Sequence, residues 1–447
     1  VGSKPIHSVV PTTLPGLVRL ACALTLALAA APARADAPSC PNPPPAIATD
    51  GIMRHPEVAA AVRGLAVEVE RDRLRSGLAS VAIAVVHGET VLLAAGYGCA
   101  NVARATAATP DTMYRIGSVT KLFEATALMQ LRDAGRLRLD DPVAKSVPAV
   151  WFSGPTGERA FPTWRQLASH TSGLPRNIPS ALGTAAELFR YLARERALTA
   201  PGAGYAYSNL GFIVLGQSLA ELAGERYHAY LRRHILEPLG MTSSTFDAGA
   251  VAGDRLAAGY LRLDRAGDGW SGYAASHRHP FAPSGTLLSS ANDIGRFIAL
   301  QFRRPPPGEE QVLAPATIRE MWRPVAAAGG GAAAIGWFVA PYGPYTLVRK
   351  DGGLPGFTAH VALVPELRLG AAAFVNESPE RVRASGAGVA KLERMVFERL
   401  LAPVARAAAR APADQATGAV ARMDSRAENP SYQRASAGRE ARQSSSP

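Results

Sequence analysis

The chain has 447 residues, 47% hydrophobic and 19% charged, a balance that excludes a disordered or fibrous polymer and points to a globular protein with a sizeable core. Its formal charge of +12 is spread over both ends and the body, and no basic block with interleaved aromatics, RNA-binding signature or zinc-finger spacing accompanies it, which argues against a nucleic-acid partner. The cysteines lack metal-ligand spacing, which argues against a zinc site.

Residues 1–35 read as an export signal: basic residues early, the apolar run "LACALTLALAA" from Leu20 to Ala30, and the small-residue pattern Ala33-Arg34-Ala35, with cleavage expected after Ala35. The run is too short for a stable span and no later stretch does better, so the expectation is a periplasmic or secreted protein without a stable membrane anchor. Cys22 would leave with the signal, and Cys40 and Cys99 would be free to pair in an oxidising compartment; the sequence leaves open whether they do.

After the Pro-rich "PSCPNPPPAI", the spacing from Pro56 to Arg75 predicts one amphipathic helix. "SVAIAVVHGETVLLAAGYG" predicts two strands joined by a turn at His87-Gly88-Glu89. From Gly117 to about Phe302 the pattern is mainly helical, broken by Pro/Gly loops, and strand character returns in "AAIGWFVA", "YTLVRKDGG", "TAHVALVP" and "RLGAAAFVN". A last helix is expected from about Ala387 to Leu401. This order predicts an α+β fold: an antiparallel β-sheet flanked by the N- and C-terminal helices, plus a mainly helical lobe, with the active site in the cleft between them. Residues 36–402 would form this one domain, and 403–447, poor in large apolar side chains, a disordered tail.

All but five of the 48 basic residues are arginine. A surviving lysine therefore suggests a task that a guanidinium cannot perform, such as releasing a proton. Lys121 follows Ser118 by three residues in "GSVTK", the only serine with this spacing in the chain, at the expected start of a helix, so both would share its first turn. A lysine whose pKa is lowered by burial or a neighbouring cation can take the proton of a serine hydroxyl and make it a nucleophile, and the helix N-terminus would favour an oxyanion beside it. A serine cap followed by an unrelated lysine is the plainer alternative at this point.

Tyr207-Ser208-Asn209 precede another helical run. A tyrosine near two lysines can become a phenolate, each unit of lowering from about 10 needing about 1.4 kcal/mol, and Asn209 could bind a substrate amide and the lysine together. A core tyrosine beside a capping asparagine would read the same way in isolation. In "VRKDGGLPGF", Lys350 closes a strand and would supply the second cation; Gly352 and Gly353 would let a substrate backbone lie along the strand edge, with an N–H near Gly353 as second oxyanion donor. His170 in "SHTSGLP" suits loop ordering better than a triad, His277 and His279 lack a third ligand, no Gly-x-Ser-x-Gly elbow exists, and "GGGAAAIG" follows no strand-to-helix pattern.

Ser118-x-x-Lys121, Tyr207-x-Asn209 and Lys350-x-Gly352, in this order, resemble the three motifs of the serine β-lactamase and penicillin-binding protein superfamily. The tyrosine points to the class C branch with its esterase and D-alanyl-D-alanine peptidase relatives, and "YRIGSVTKLFEATALMQLRDAGRLRLDDPV", "LASHTSGLP", "LEPLGMTSSTF" and "SGTLLSSANDIGRFI" extend the similarity over roughly Pro56 to Leu401. The resemblance implies that Ser118 is the acylated nucleophile, Lys121 its proton partner, Tyr207 the base, Asn209 a substrate amide ligand, and Lys350 the holder of a substrate carboxylate. It implies an acyl-enzyme hydrolase of the β-lactamase type acting on small molecules or peptides bearing a carboxylate, with no metal and no cofactor. A D-alanyl-D-alanine carboxypeptidase, a carboxylesterase and a non-turnover penicillin-binding sensor are the alternatives. One departure bears on substrate: Lys-Asp-Gly-Gly stands where strong β-lactamases have Lys-Thr-Gly, so a hydroxyl that helps bind the carboxylate is missing.

Overall fold

The computed structural model describes residues 40–176, 184–263, 270–273, 285–304, 312–384 and 389–410. The expected signal segment, His277, His279 and the tail beyond Arg410 lie outside the described residues.

Helix α1 spans Pro56–Ser76, with proline in its first turn, Glu57 at its positive end, Arg73 and Arg75 at its negative end, and Gly77 closing it at φ 62°. Strands β1 (Ser80–His87) and β2 (Thr90–Asn101) form the expected hairpin, His87 pairing with Thr90 across Gly88, whose φ is 58°. The helical lobe follows, and three of its helices matter below: α2 (Thr120–Asp133), α3 (Asn209–Ala223) and α4 (Ala291–Phe302). Strands β3 (Phe338–Tyr342), β4 (Tyr345–Leu354), β5 (Phe357–Val364) and β6 (Leu369–Val375) then complete the sheet, and α5 (Val389–Ala409) packs on it.

Every pairing in the central sheet is antiparallel, in the order β2, β1, β6, β5, β4, β3, continued at the β2 edge by Ala46–Ile47 and at the other by Gly331–Ala333 and Ala326–Ala328. Both faces are covered, so the inner strands are largely apolar and their alternation sorts side chains between two cores. In β1, Val81, Ile83 and Val85 join the outer core with α1 and α5, whereas Ala82, Ala84 and Val86 join the inner core with the helical lobe. The alanines on the inner side leave room for α4, where a Cβ on Gly295 would lie 3.2 Å from Val91 and 3.7 Å from Ala84.

The run expected as one strand in "AAIGWFVA" is split: Gly331–Ala333 ends and Phe338 begins on either side of a turn at Gly336. Gly336 has φ 77° and packs so closely that a Cβ would lie 2.7 Å from the Cβ of Ala125 in α2. The final helix runs past Leu401 to Ala409, through Pro403, because Val404 and Ala407 continue the apolar face buried in the outer core. Among the described residues, three two-stranded pieces interrupt the helical lobe, at Tyr114–Arg115 with Leu288–Ser289, Phe152–Ser153 with Arg159–Ala160, and Gly259–Leu263 with Trp270–Tyr273. Cys40 and Cys99 form a disulfide that fastens the Pro-rich segment to β2. Among the described residues no helix is long and apolar enough to cross a membrane.

Candidate active site

Ser118 lies in a single 3-10 turn, Gly117–Val119, that leads directly into α2. Helix α2 is buried over Thr120 to Met129, so its first turn is held from all sides. Gly117 takes φ 52°, and a Cβ there would lie 2.8 Å from the backbone nitrogen of Gly353; a Cβ on Gly352 would lie 2.1 Å from the carbonyl oxygen of Ile116. The glycines of the third motif thus admit the Ser118 turn against β4. Strand β3 pairs with β4 only as far as Phe338 opposite Arg349, so from Lys350 onward this edge of β4 faces that turn.

Lys121, one helical turn after Ser118, points its ammonium at the serine: Nζ donates to Ser118 Oγ at 3.2 Å and to Asn209 Oδ1 at 2.9 Å. The Tyr207 hydroxyl donates to Ser118 Oγ at 2.8 Å. Ser208 rather than Asn209 caps α3, its Oγ accepting from Gly211 N–H at 2.8 Å and donating to the Pro175 carbonyl at 2.7 Å. With the cap supplied by its neighbour, the Asn209 amide is free to meet Lys121. Lys350 reaches the same place from β4, its Nζ 5.2 Å from the centroid of the Tyr207 ring, while Lys121 Nζ is 5.5 Å from it. A cleft of about 770 Å³, lined among others by Ser118, Arg176, Tyr207, Asp351, Gly352 and Gly353, opens above the serine. All seven residues singled out in the sequence therefore converge, Lys350 through the tyrosine ring and the two glycines through their backbone.

Burial sets the electrostatics. Lys121 is 0% exposed. Desolvation brings its pKa down to about 7, opposed by the nearby Glu124 and assisted by Arg176. Lys350, 7% exposed, is lowered mainly by desolvation, against the pull of Tyr207. His170 stacks on Tyr207 with ring centroids 4.2 Å apart and accepts Ser208 N–H at Nδ1, 3.1 Å, which puts its proton on Nε2. Burial, then the two lysines, hold it well below its ordinary pKa, so it orders the Tyr207 loop as a neutral ring.

Three features escaped the sequence reading. Glu124 stands one turn beyond Lys121 and is 0% exposed; burial raises its pKa well above the ordinary carboxylate value, against the pull of Lys121. An acid three residues after a candidate base, in a helix otherwise apolar, was the available signal. Arg176 holds its guanidinium carbon 4.8 Å over the Tyr207 ring, where nothing in "GLPRN" announces it. Asp351, in place of the family hydroxyl, bonds His360 Nδ1 across the strands at 2.6 Å, and His360 Nε2 meets Glu393 of α5 at 2.7 Å. Burial alone would lower the His360 pKa; the bonds to the two carboxylates outweigh it and push it up to about 9.

Comparison with known proteins agrees with this architecture. The chain is 30% identical over 347 residues to beta-lactamase-like 1 of Homo sapiens, covering 71% of this chain and 67% of that protein, and it spans 62–63% of the length of the next curated relatives. The octameric penicillin-binding protein homologue from Pyrococcus abyssi superposes with a TM-score of 0.63 at 28% identity, over 76% of this chain and 77% of that one. The beta-lactamase/D-alanine carboxypeptidase from Pseudomonas syringae shares the fold, with a TM-score of 0.63 at 20% identity over 76% and 98% of the two chains. The sequence model of the beta-lactamase family matches residues 59–394, and with the fold and the convergent motifs this places the chain in the beta-lactamase family.

Proposed function

We propose that the chain is an exported serine hydrolase that forms and then hydrolyses an acyl-enzyme on Ser118. The observation that carries this is the convergence of Lys121 Nζ and the Tyr207 hydroxyl on Ser118 Oγ, at 3.2 and 2.8 Å, beneath an open cleft. A base must lie within hydrogen-bond reach of the proton it takes, and both groups do. Ser118 Oγ attacks the carbonyl carbon while its proton passes to Tyr207, which can act as the base once its own hydroxyl proton has moved to Lys121 in its uncharged form, a form that burial makes accessible near neutral pH. The tetrahedral oxyanion forms between the N–H groups of Ser118 and Gly353, whose backbones the glycine contact brings together. Collapse expels the amine or alkoxide, which takes the proton; water, deprotonated by the same pair, attacks the acyl carbon and frees Ser118.

The substrate is an amide, lactam or ester near a carboxylate, hydrolysed in the β-lactamase manner. A D-alanyl-D-alanine carboxypeptidase or carboxylesterase is the second reading, and Asp351 where a carboxylate-binding hydroxyl would stand favours the esterase of the two. Export is supported by the Cys40–Cys99 disulfide, which persists in oxidising compartments, and by the signal pattern in residues 1–35. Intact-protein mass spectrometry with a chromogenic cephalosporin, a D-alanyl-D-alanine peptide and short-chain esters tests the proposal. Turnover through a transient Ser118 adduct is expected; a persistent one-to-one adduct would indicate a sensor, and hydrolysis that survives Ser118→Ala would overturn the assignment.

A further inference from the structure

The geometry points to Arg176 as the group that receives an anionic substituent of the substrate, a carboxylate, at the mouth of the Ser118 cleft. This rests on the acyl-transfer reading above. Arg176 is exposed, lines the cleft with Ser118, and holds its guanidinium carbon 4.8 Å over the ring of Tyr207, whose hydroxyl is 2.8 Å from the nucleophile. Its backbone is pinned to the start of α3, since its carbonyl accepts the Asn209 N–H at 2.9 Å. Among the described residues no carboxylate pairs with it.

The other cations near the cleft are already committed. Lys121 is sealed at 0% exposure, and Lys350, 7% exposed, lies over Tyr207 and Phe212. Arg349 stands against the ring of Phe338, 5.2 Å from its centroid, beside Asp351, and Arg383 pairs with Glu380 at 3.3 Å. On the β4 side Asp351, exposed at the rim and held ionised through its hydrogen bond to His360 against partial desolvation, would repel an anion where the family hydroxyl would welcome one. Positive potential without a counter-charge therefore remains on the Arg176 side, and a guanidinium can grip a carboxylate with two parallel hydrogen bonds. Substrates whose carboxylate extends along the Tyr207 loop are selected over neutral ones.

The test compares mono-p-nitrophenyl glutarate with p-nitrophenyl butyrate, esters alike at the reacting carbonyl and different in charge. The readout is the ratio of their kcat/KM values, which is independent of the fraction of active protein. Arg176→Met lowers that ratio by about 10- to 100-fold, the range of a hydrogen bond to a charged group; Arg176→Glu lowers it further, and Arg176→Lys retains part of it. If the Met and Glu variants leave the ratio unchanged, whether or not both rates fall together, Arg176 only packs against the tyrosine and the subsite is refuted. If neither ester acylates Ser118 by mass in the wild-type protein, the acyl-transfer reading fails, and the subsite with it.

Discussion

Replacing Lys121 by methionine should abolish acylation and at the same time make the protein more stable at neutral pH. The side chain is wholly buried, and desolvation lowers its pKa from 10.5 to about 7 in the folded state. A lowering of that size corresponds to about 5 kcal/mol of native-state cost for carrying the proton, of which about 4 kcal/mol is still present at pH 7. Because a folded-state pKa below the unfolded one means that the unfolded chain binds more protons, this cost is complete below about pH 7 and vanishes as pH rises to about 10.5. Methionine of similar length removes the cost but also the bonds to Ser118 and Asn209, a loss of about 1–2 kcal/mol. The net expectation is a gain of about 2–3 kcal/mol at pH 7 that shrinks with rising pH and reverses sign near pH 10. Urea unfolding of wild type and variant at pH 6, 7, 8.5 and 10 measures it. A variant less stable at pH 7, or a gain that does not change with pH, would mean that the lysine is paired as a cation, and the account of how it becomes a base would fall.

Lys121→Arg should be nearly as inactive as Lys121→Ala in a steady-state assay, since the charge stays but the proton cannot leave; retention of most activity would reduce Lys121 to an electrostatic prop. Tyr207→Phe should lower turnover by at least about 100-fold, read as kcat, and an unchanged rate would move the base elsewhere. Removing the Cys40–Cys99 bridge with paired serines, or by reduction, should cost up to about 4 kcal/mol, the chain-entropy figure for its separation of 59 residues, and a denaturant midpoint that does not fall would contradict this. His360 contributes stability in the opposite pH sense to Lys121: its folded pKa of about 9 exceeds 6.5, so its contribution is full below pH 6.5 and is lost as pH rises through 9. That contribution is at most about 3 kcal/mol, less because Asp351 is 65% exposed, and His360→Asn should flatten this limb of the stability profile.

The α+β layout was legible because sheet and helix periodicities are unambiguous in this chain, from the β1–β2 hairpin to α1 with its proline and glycine ends. The candidate site was legible because Lys121 and Lys350 are unusual choices in an arginine-rich chain and fall, with Ser118, Tyr207 and Asn209, in a recognisable order of motifs. What stayed hidden was set by contacts distant in sequence. Ser208, not Asn209, caps α3, which only the approach of Pro175 reveals. Gly336 breaks a strand pattern because α2 leaves no room for a side chain, and the last helix passes Pro403 because the outer core continues to Ala407. The partner of Asp351, His360, lies 9 residues along the chain on the neighbouring strand, and the partner of His360, Glu393, a further 33 residues on, in a terminal helix.

The chain of contacts from Glu393 through His360 to Asp351 gives the outer layer of the molecule a grip on the strand that faces Ser118. These contacts run through the thickness of the sheet, from a terminal helix packed on the outer core to the strand edge beside Ser118.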